Sequence, residues 1–161
     1  MGRSSVNRYR SARLLAGAIL LIPLLAGSAS ALCNVSATGL SFGPYDDFSP
    51  VPLDTTGTVT VICDEAPPPD VVISIGPSGN GSFNPRAMRH ASLPDLLLYN
   101  LFTDASRGAV WGDGTAGTST VFLKNVTKNS PRTTTIYGRT PAGQSVSLGP
   151  YSDTLTVTIV W

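Results

Sequence analysis

The chain has little of what catalytic and nucleic-acid-binding proteins are usually built from. Histidine occurs once, at His90, and cysteine only twice, at Cys33 and Cys63. Two sulfurs and one distant imidazole do not complete a zinc shell, so no metal or other cofactor is expected. Charged residues make up 13% of the chain, and four of its eleven Lys and Arg (Arg3, Arg8, Arg10, Arg13) crowd into the first 13 residues. Beyond residue 31, seven basic residues stand against ten acidic ones, a net charge of −3. No basic cluster remains to hold phosphates, which excludes nucleic acid as a partner. Long apolar runs are missing too. The longest, Leu14 to Leu25, has twelve residues, against the ~20 a membrane-spanning helix needs.

That run instead completes a leader. A basic start, a short apolar stretch and the small residues ending Ala29-Ser30-Ala31 have the form of a secretory signal with an A-x-A cleavage site. Residues 1–31 are therefore read as a signal peptide and 32–161 as one exported domain, with no stable membrane insertion after cleavage. Lipidation does not fit, because Leu32 precedes Cys33 where a small residue is needed. Export places Cys33 and Cys63 in an oxidising compartment, where one intramolecular disulfide is the economical reading.

What the domain does have is Thr, Ser, Gly, Pro and Val, a composition of short strands and many turns. Strands are expected over 34–42, 56–63, 71–75, 118–126 and 133–139, with a short partner at 109–111. The stretch 96–102 is less plain, since Leu93, Leu97 and Leu101 also suit one helical face. Its brevity, its aromatics and the flanking Pro94 and Gly108 favour a strand. Seven or eight short strands with no helix make an antiparallel sandwich.

The last eight residues, Thr-Leu-Thr-Val-Thr-Ile-Val-Trp, alternate apolar and polar side chains at period 2. Leu155, Val157, Ile159 and Trp161 are expected on one face. A terminal strand with nothing downstream to pair with it offers open backbone groups to another chain. These four residues are the candidate acceptor edge for a partner strand.

Several blocks, in order, resemble the spore coat protein U domain family. They are Cys33 to Gly43 (Cys-Asn-Val-Ser-Ala-Thr-Gly-Leu-Ser-Phe-Gly), Pro52 to Cys63, Tyr99-Asn-Leu-Phe-Thr-Asp104, Val110-Trp-Gly-Asp-Gly-Thr115, Tyr137 to Gln144, and Tyr151 to Trp161. The resemblance spans nearly the whole exported part. It implies a subunit of archaic chaperone–usher pili, which serve adhesion and biofilm formation, with an incomplete immunoglobulin-like fold lacking its final strand. It further implies three partners: a periplasmic pilus chaperone that lends the strand, an outer-membrane usher, and other pilus subunits, one of which later replaces the lent strand. The protein would pass through the periplasm to the cell surface or beyond.

Two features depart from the pattern. Asp47 stands where the family commonly has proline. Cleavage after Ala31 leaves only Leu32 before Cys33, whereas a donor strand needs about ten residues. The chain is thus expected to accept a strand but not to donate one, as a terminal or accessory subunit. The alternative is a self-contained spore-coat or extracellular matrix protein; an enzyme or small-ligand lectin ranks third.

Nothing points to catalysis. No serine lies in a nucleophile elbow, and His90 reads as a solvated loop residue. Asp104 and Asp113 read as turn formers rather than cation ligands. Trp111 and Trp161 read as core, as tryptophan usually is in a sandwich. Asn34, Asn80 and Asn125 sit in Asn-x-Ser/Thr sequons, which matter only in a eukaryotic secretory pathway.

Overall fold

A computed structural model describes residues 32–64 and 68–161; the signal-peptide reading and Pro67 of the proline connector lie outside those residues. Described residues form nine strands and no helix. Six make one antiparallel sheet: β1 (Cys33–Ala37), β2 (Leu53–Cys63), β7 (Arg132–Thr140), β5 (Leu96–Phe102), β4 (Arg86–His90) and β8 (Tyr151–Ser152), in that spatial order. The other sheet has three: β6 (Val121–Leu123), β3 (Val71–Ile75) and β9 (Val157–Val160).

Alternation in the sequence sets which side chains meet between the sheets. Val59 and Val61 of β2, Val71, Ile73 and Ile75 of β3, Leu101 of β5 and Ile136 of β7 are all buried. The polar partners of β2 face outward, where Thr60 and Thr133 of β7 share a hydroxyl hydrogen bond of 2.9 Å. Trp111 lies at the centre, fully buried, and its indole N–H donates to the Ile73 carbonyl (3.1 Å). A buried Trp is stable only with such a partner for its N–H.

Cys33 and Cys63 form the disulfide, joining directly opposed residues of the β1–β2 ladder with Cα atoms 4.1 Å apart. Strand pairing alone thus brings the sulfurs within bonding reach.

Three expectations need correction. The first strand stops at Ala37, not Phe42, because residues 38–42 leave the ladder to pack Leu40 and Phe42 over two glycines. A Cβ at Gly138 would stand 2.8 Å from Leu40 Cδ2 and 3.0 Å from Phe42 Cζ; one at Gly57 would stand 3.0 Å from Leu40 Cγ. The two glycines make room for these side chains. Secondly, β4 was not expected as a strand. Arg-Ala-Met-Arg-His lacks both alternation and β-branched residues, and only its neighbours make it a strand. Thirdly, Trp161 is 46% exposed, unlike Trp111. Residues 109–111 make only isolated bridges, Phe102↔Val110 and Trp111↔Ser119.

The loop leading to Trp111 is tied by Asp104. Its carboxylate accepts N–H groups from Gly108 (3.2 Å) and Ala109 (3.0 Å) and the Ser106 hydroxyl. The Ser106 hydroxyl first, then the two N–H groups, lower its pKa from 3.8 to about 2. A depressed carboxyl stabilises the fold fully above its ordinary pKa, and that support is lost as pH falls through the folded value. Between pH 4 and 2 the loop is therefore expected to loosen, followed as amide exchange at Gly108 and Ala109. Asp104→Ala should have the loose loop already at pH 5; equal protection in the two proteins at pH 5 refutes this.

Candidate functional site

β9 pairs with β3 through Val72↔Val160, Ile73↔Ile159, Ser74↔Thr158 and Ile75↔Val157. Its other side joins no strand ladder among the described residues, and neither does the outer side of β1. These two open edges belong to different sheets and come within 8 Å of each other at Cα.

Between them lies a cleft of about 360 Å³. Ala37, Leu40 and Phe42 form one wall, Leu155 and Val157 the other, and Tyr99, Leu101 and Ile136 contribute to the rest of the lining. Exposure here breaks the rule that holds elsewhere. The inward residues of β3 (Val71, Ile73, Ile75) are at most 1% exposed, whereas Leu155, Val157 and Ile159 are only half-buried. Val35, Leu40, Phe42 and Met88 are likewise half-buried against the core. Half-buried apolar side chains on both flanks of the cleft leave apolar surface in contact with solvent.

Of the four candidate edge residues, three line up. Leu155, Val157 and Ile159 share one face and pack against the core. Trp161 follows the last residue of β9 and is more exposed. Val160 and Thr158 point outward.

One polar pair interrupts the apolar lining. Tyr99 Oη donates to Asp153 Oδ2 (2.7 Å), while Asp153 Oδ1 accepts the N–H groups of Gly79 (3.1 Å) and Thr154 (2.9 Å). Burial, and then the Asp153 carboxylate, push the Tyr99 phenol far above its ordinary pKa of 10.0, so it stays a donor at any working pH. Phe42 meets the Tyr99 ring edge-on at 5.8 Å.

Sequence reasoning missed the residue that joins the sheets behind this cleft. Arg86 of β4 is fully buried, and its guanidinium donates to carbonyls rather than to a carboxylate. Nη2 reaches Trp111 O (2.7 Å), Gly76 O (2.9 Å) and Ile75 O (3.1 Å). Nη1 reaches Asn100 Oδ1 (3.0 Å) and Phe83 O (3.3 Å), and Nε also donates to Gly76 O (3.2 Å). Burial lowers its pKa from 12.5, but an arginine stays protonated in proteins. No sequence pattern marks it, since an arginine after Asn84-Pro85 reads as a turn neighbour.

His90 is not the solvated loop residue expected. It ends β4, is 7% exposed, and both ring nitrogens are engaged with backbone groups. Asp113 is committed to Thr115, accepting its N–H (2.9 Å) and its hydroxyl (2.6 Å). The Thr115 hydroxyl is the larger cause of its lowered pKa.

Comparison with known proteins agrees with this geometry. The profile of the Spore Coat Protein U domain matches residues 24–158. Protein U of Myxococcus xanthus is 35% identical over 133 residues, 76% of this chain and 71% of that protein. Among solved structures, the chain resembles one in the CsuC–CsuE chaperone–tip adhesion subunit pre-assembly complex from archaic chaperone–usher Csu pili of Acinetobacter baumannii. The TM-score is 0.56 at 19% identity, over 82% of this chain and 40% of that one, so this chain spans less than half of its solved neighbour. The minor tip subunit HdaB of the E. coli Hda pilus aligns at 15% identity and a TM-score of 0.42, over 78% of this chain and 79% of that one. With the family profile covering most of its length and the sandwich shared with a solved neighbour, this chain belongs to the spore coat protein U domain family.

Proposed function

We propose that this protein is a structural subunit of an archaic chaperone–usher surface pilus, assembled by accepting a partner's β-strand between β1 and β9. The half-buried apolar row of Leu155, Val157 and Ile159 on an open edge carries this reading. A strand laid there would satisfy the free backbone groups of β9, and its alternate side chains would fill the cleft. Each aliphatic so buried contributes about 1.5–3 kcal/mol, so a few decide whether the complex holds. Trp161 extends the same edge. Periplasmic chaperone, usher and neighbouring subunits are the partners, and the route is export, loss of residues 1–31, then the cell surface. A place at the end of the fibre, or beside it, follows from cleavage after Ala31.

One observation favours the second reading, a self-contained coat or matrix protein. A strand hydrogen-bonded on both sides needs its neighbours about 9.5 Å apart, twice the inter-strand spacing. β1 and β9 approach within 8 Å, so a donor must part them.

Co-expression in the periplasm with and without a pilus chaperone, followed by size exclusion with light scattering, separates the two readings. Strand acceptance predicts a one-to-one complex and little soluble chain alone. A stable monomer that unfolds cooperatively and ignores the chaperone supports the self-contained protein. Val157→Asp together with Ile159→Asp should reduce co-purified chaperone at least ~10-fold, since each places a charge where the donor would be buried. An unchanged yield of complex moves the acceptor site elsewhere.

A further inference from the structure

Strand β8 is two residues long and pairs with β4 only through Arg89↔Ser152 and His90↔Tyr151. So short an edge strand has few bonds of its own and opens at low cost. Much of its anchorage passes through His90. Nδ1 of the ring accepts the backbone N–H groups of Ser92 (3.0 Å) and Leu93 (2.9 Å), and Nε2 lies 3.1 Å from the Leu148 carbonyl. A ring nitrogen that accepts two N–H groups carries no proton; Nε2 therefore holds it and donates to Leu148. The Tyr151 ring stands edge-on at 5.0 Å. Gly149 passes so close that a Cβ there would lie 2.1 Å from Nε2, a space only glycine leaves.

The other ionisable groups around the ring are three. Asp95, on the turn between β4 and β5, accepts the Ser147 N–H (3.1 Å). Tyr151 donates its hydroxyl to Ser147 O (2.9 Å). Arg89 is next to His90 in β4 but is exposed on the opposite face. Asp95 attracts an imidazolium electrostatically, yet its hydrogen bond goes to Ser147 and not to either ring nitrogen.

We propose that His90 is a proton-operated latch on β8, closed when the ring is neutral and released when Nδ1 is protonated. A proton on Nδ1 points at two N–H groups that then lose their acceptor, beside a ring that is itself only 7% exposed. The turn at Ser92–Leu93 opens, and the Leu148–Tyr151 segment loses its staple. Tyr151, Ser152 and Asp153 line the cleft beside β9, and Leu148 to Tyr151 line a second cleft of about 650 Å³. Acid therefore loosens one rim of the acceptor cleft. That last link rests on the strand-acceptance reading, whereas the latch does not.

The test is amide exchange by NMR on the exported chain between about pH 7.5 and about pH 5. Protection factors, corrected for the intrinsic pH dependence of exchange, are expected to fall at least ~10-fold at Ala91, Ser92 and Leu93. Amides of β2 and β3 should not change. His90→Asn offers a side-chain oxygen to the same two N–H groups but cannot titrate, so its protection should be flat across the range. A flat wild-type profile overturns the latch. So does a His90→Asn profile that falls like the wild type, which would assign the response to a group other than His90; Asp95, whose pKa is lowered by its hydrogen bonds to Ser147, stays ionised throughout this range. If the wild type shows the transition but binds no chaperone at either pH, the latch stands and strand acceptance fails.

Discussion

Unfolding of the protein without its Cys33–Cys63 bridge is expected at about 3.5–4 kcal/mol lower free energy, from the chain entropy of the 30-residue separation the bridge closes. For a domain of this size that is a large part of the usual 5–15 kcal/mol of stability. The loss should not be spread evenly. β1 is an edge strand of five residues, paired only with β2 among the described residues. Without the bridge, its amides should exchange first, while β2, held also by β7, keeps its protection. Urea unfolding of the Cys33→Ser, Cys63→Ser double variant checks the magnitude, and exchange at Asn34 and Ser36, whose N–H groups face β2, checks the location. A loss under about 1 kcal/mol would mean that the β1–β2 ladder holds without the bridge and that the unfolded chain is already compact there. Because Ala37 of β1 lines the cleft, the bridge also helps keep that wall of the cleft in place.

Replacing Arg86 should be as severe. Arg86→Met keeps the stem's volume but leaves the carbonyls of Ile75, Gly76 and Trp111 without the guanidinium donors, while the Asn100 amide oxygen keeps only the Leu101 N–H (3.0 Å). A buried acceptor stripped of its partner costs about 1–3 kcal/mol, and several lose theirs together here. Chemical denaturation should show a loss in the upper range. Arg86→Lys should rescue little, because one ammonium with three donors cannot reproduce a planar fork that reaches both sheets. If Arg86→Met stays within about 1 kcal/mol of the wild type, water has replaced the guanidinium and the sheets do not depend on it. The loosening should centre on Trp111, whose carbonyl receives the shortest of these bonds at 2.7 Å. Trp111 fluorescence therefore reports the change directly.

The two predictions test different kinds of knowledge. The bridge was readable from the chain, because two cysteines in an exported domain leave one pairing and the alternation of 56–63 supplies a strand to carry it. Arg86 was not readable, since its role depends on carbonyls contributed by residues 10, 11 and 25 positions away. His90 failed for the same reason. A single histidine in a polar stretch looks solvated until Gly149, 59 positions later, makes room beside its ring.

By itself the sequence determined the all-β class, the strands at 71–75 and 96–102, the disulfide and the family. Each of these rests on neighbours in the chain: period-2 alternation, turn residues, or residue blocks in a fixed order. Only the tertiary structure decided that 38–42 leaves the ladder, that Arg-Ala-Met-Arg-His is a strand, and that Leu155, Val157 and Ile159 stay half-buried. Burial is a property of what arrives from elsewhere. A strand's alternation states which face turns inward, but the number of layers covering that face depends on strands far away in the chain. At β9, an edge strand among the described residues, that covering is partial.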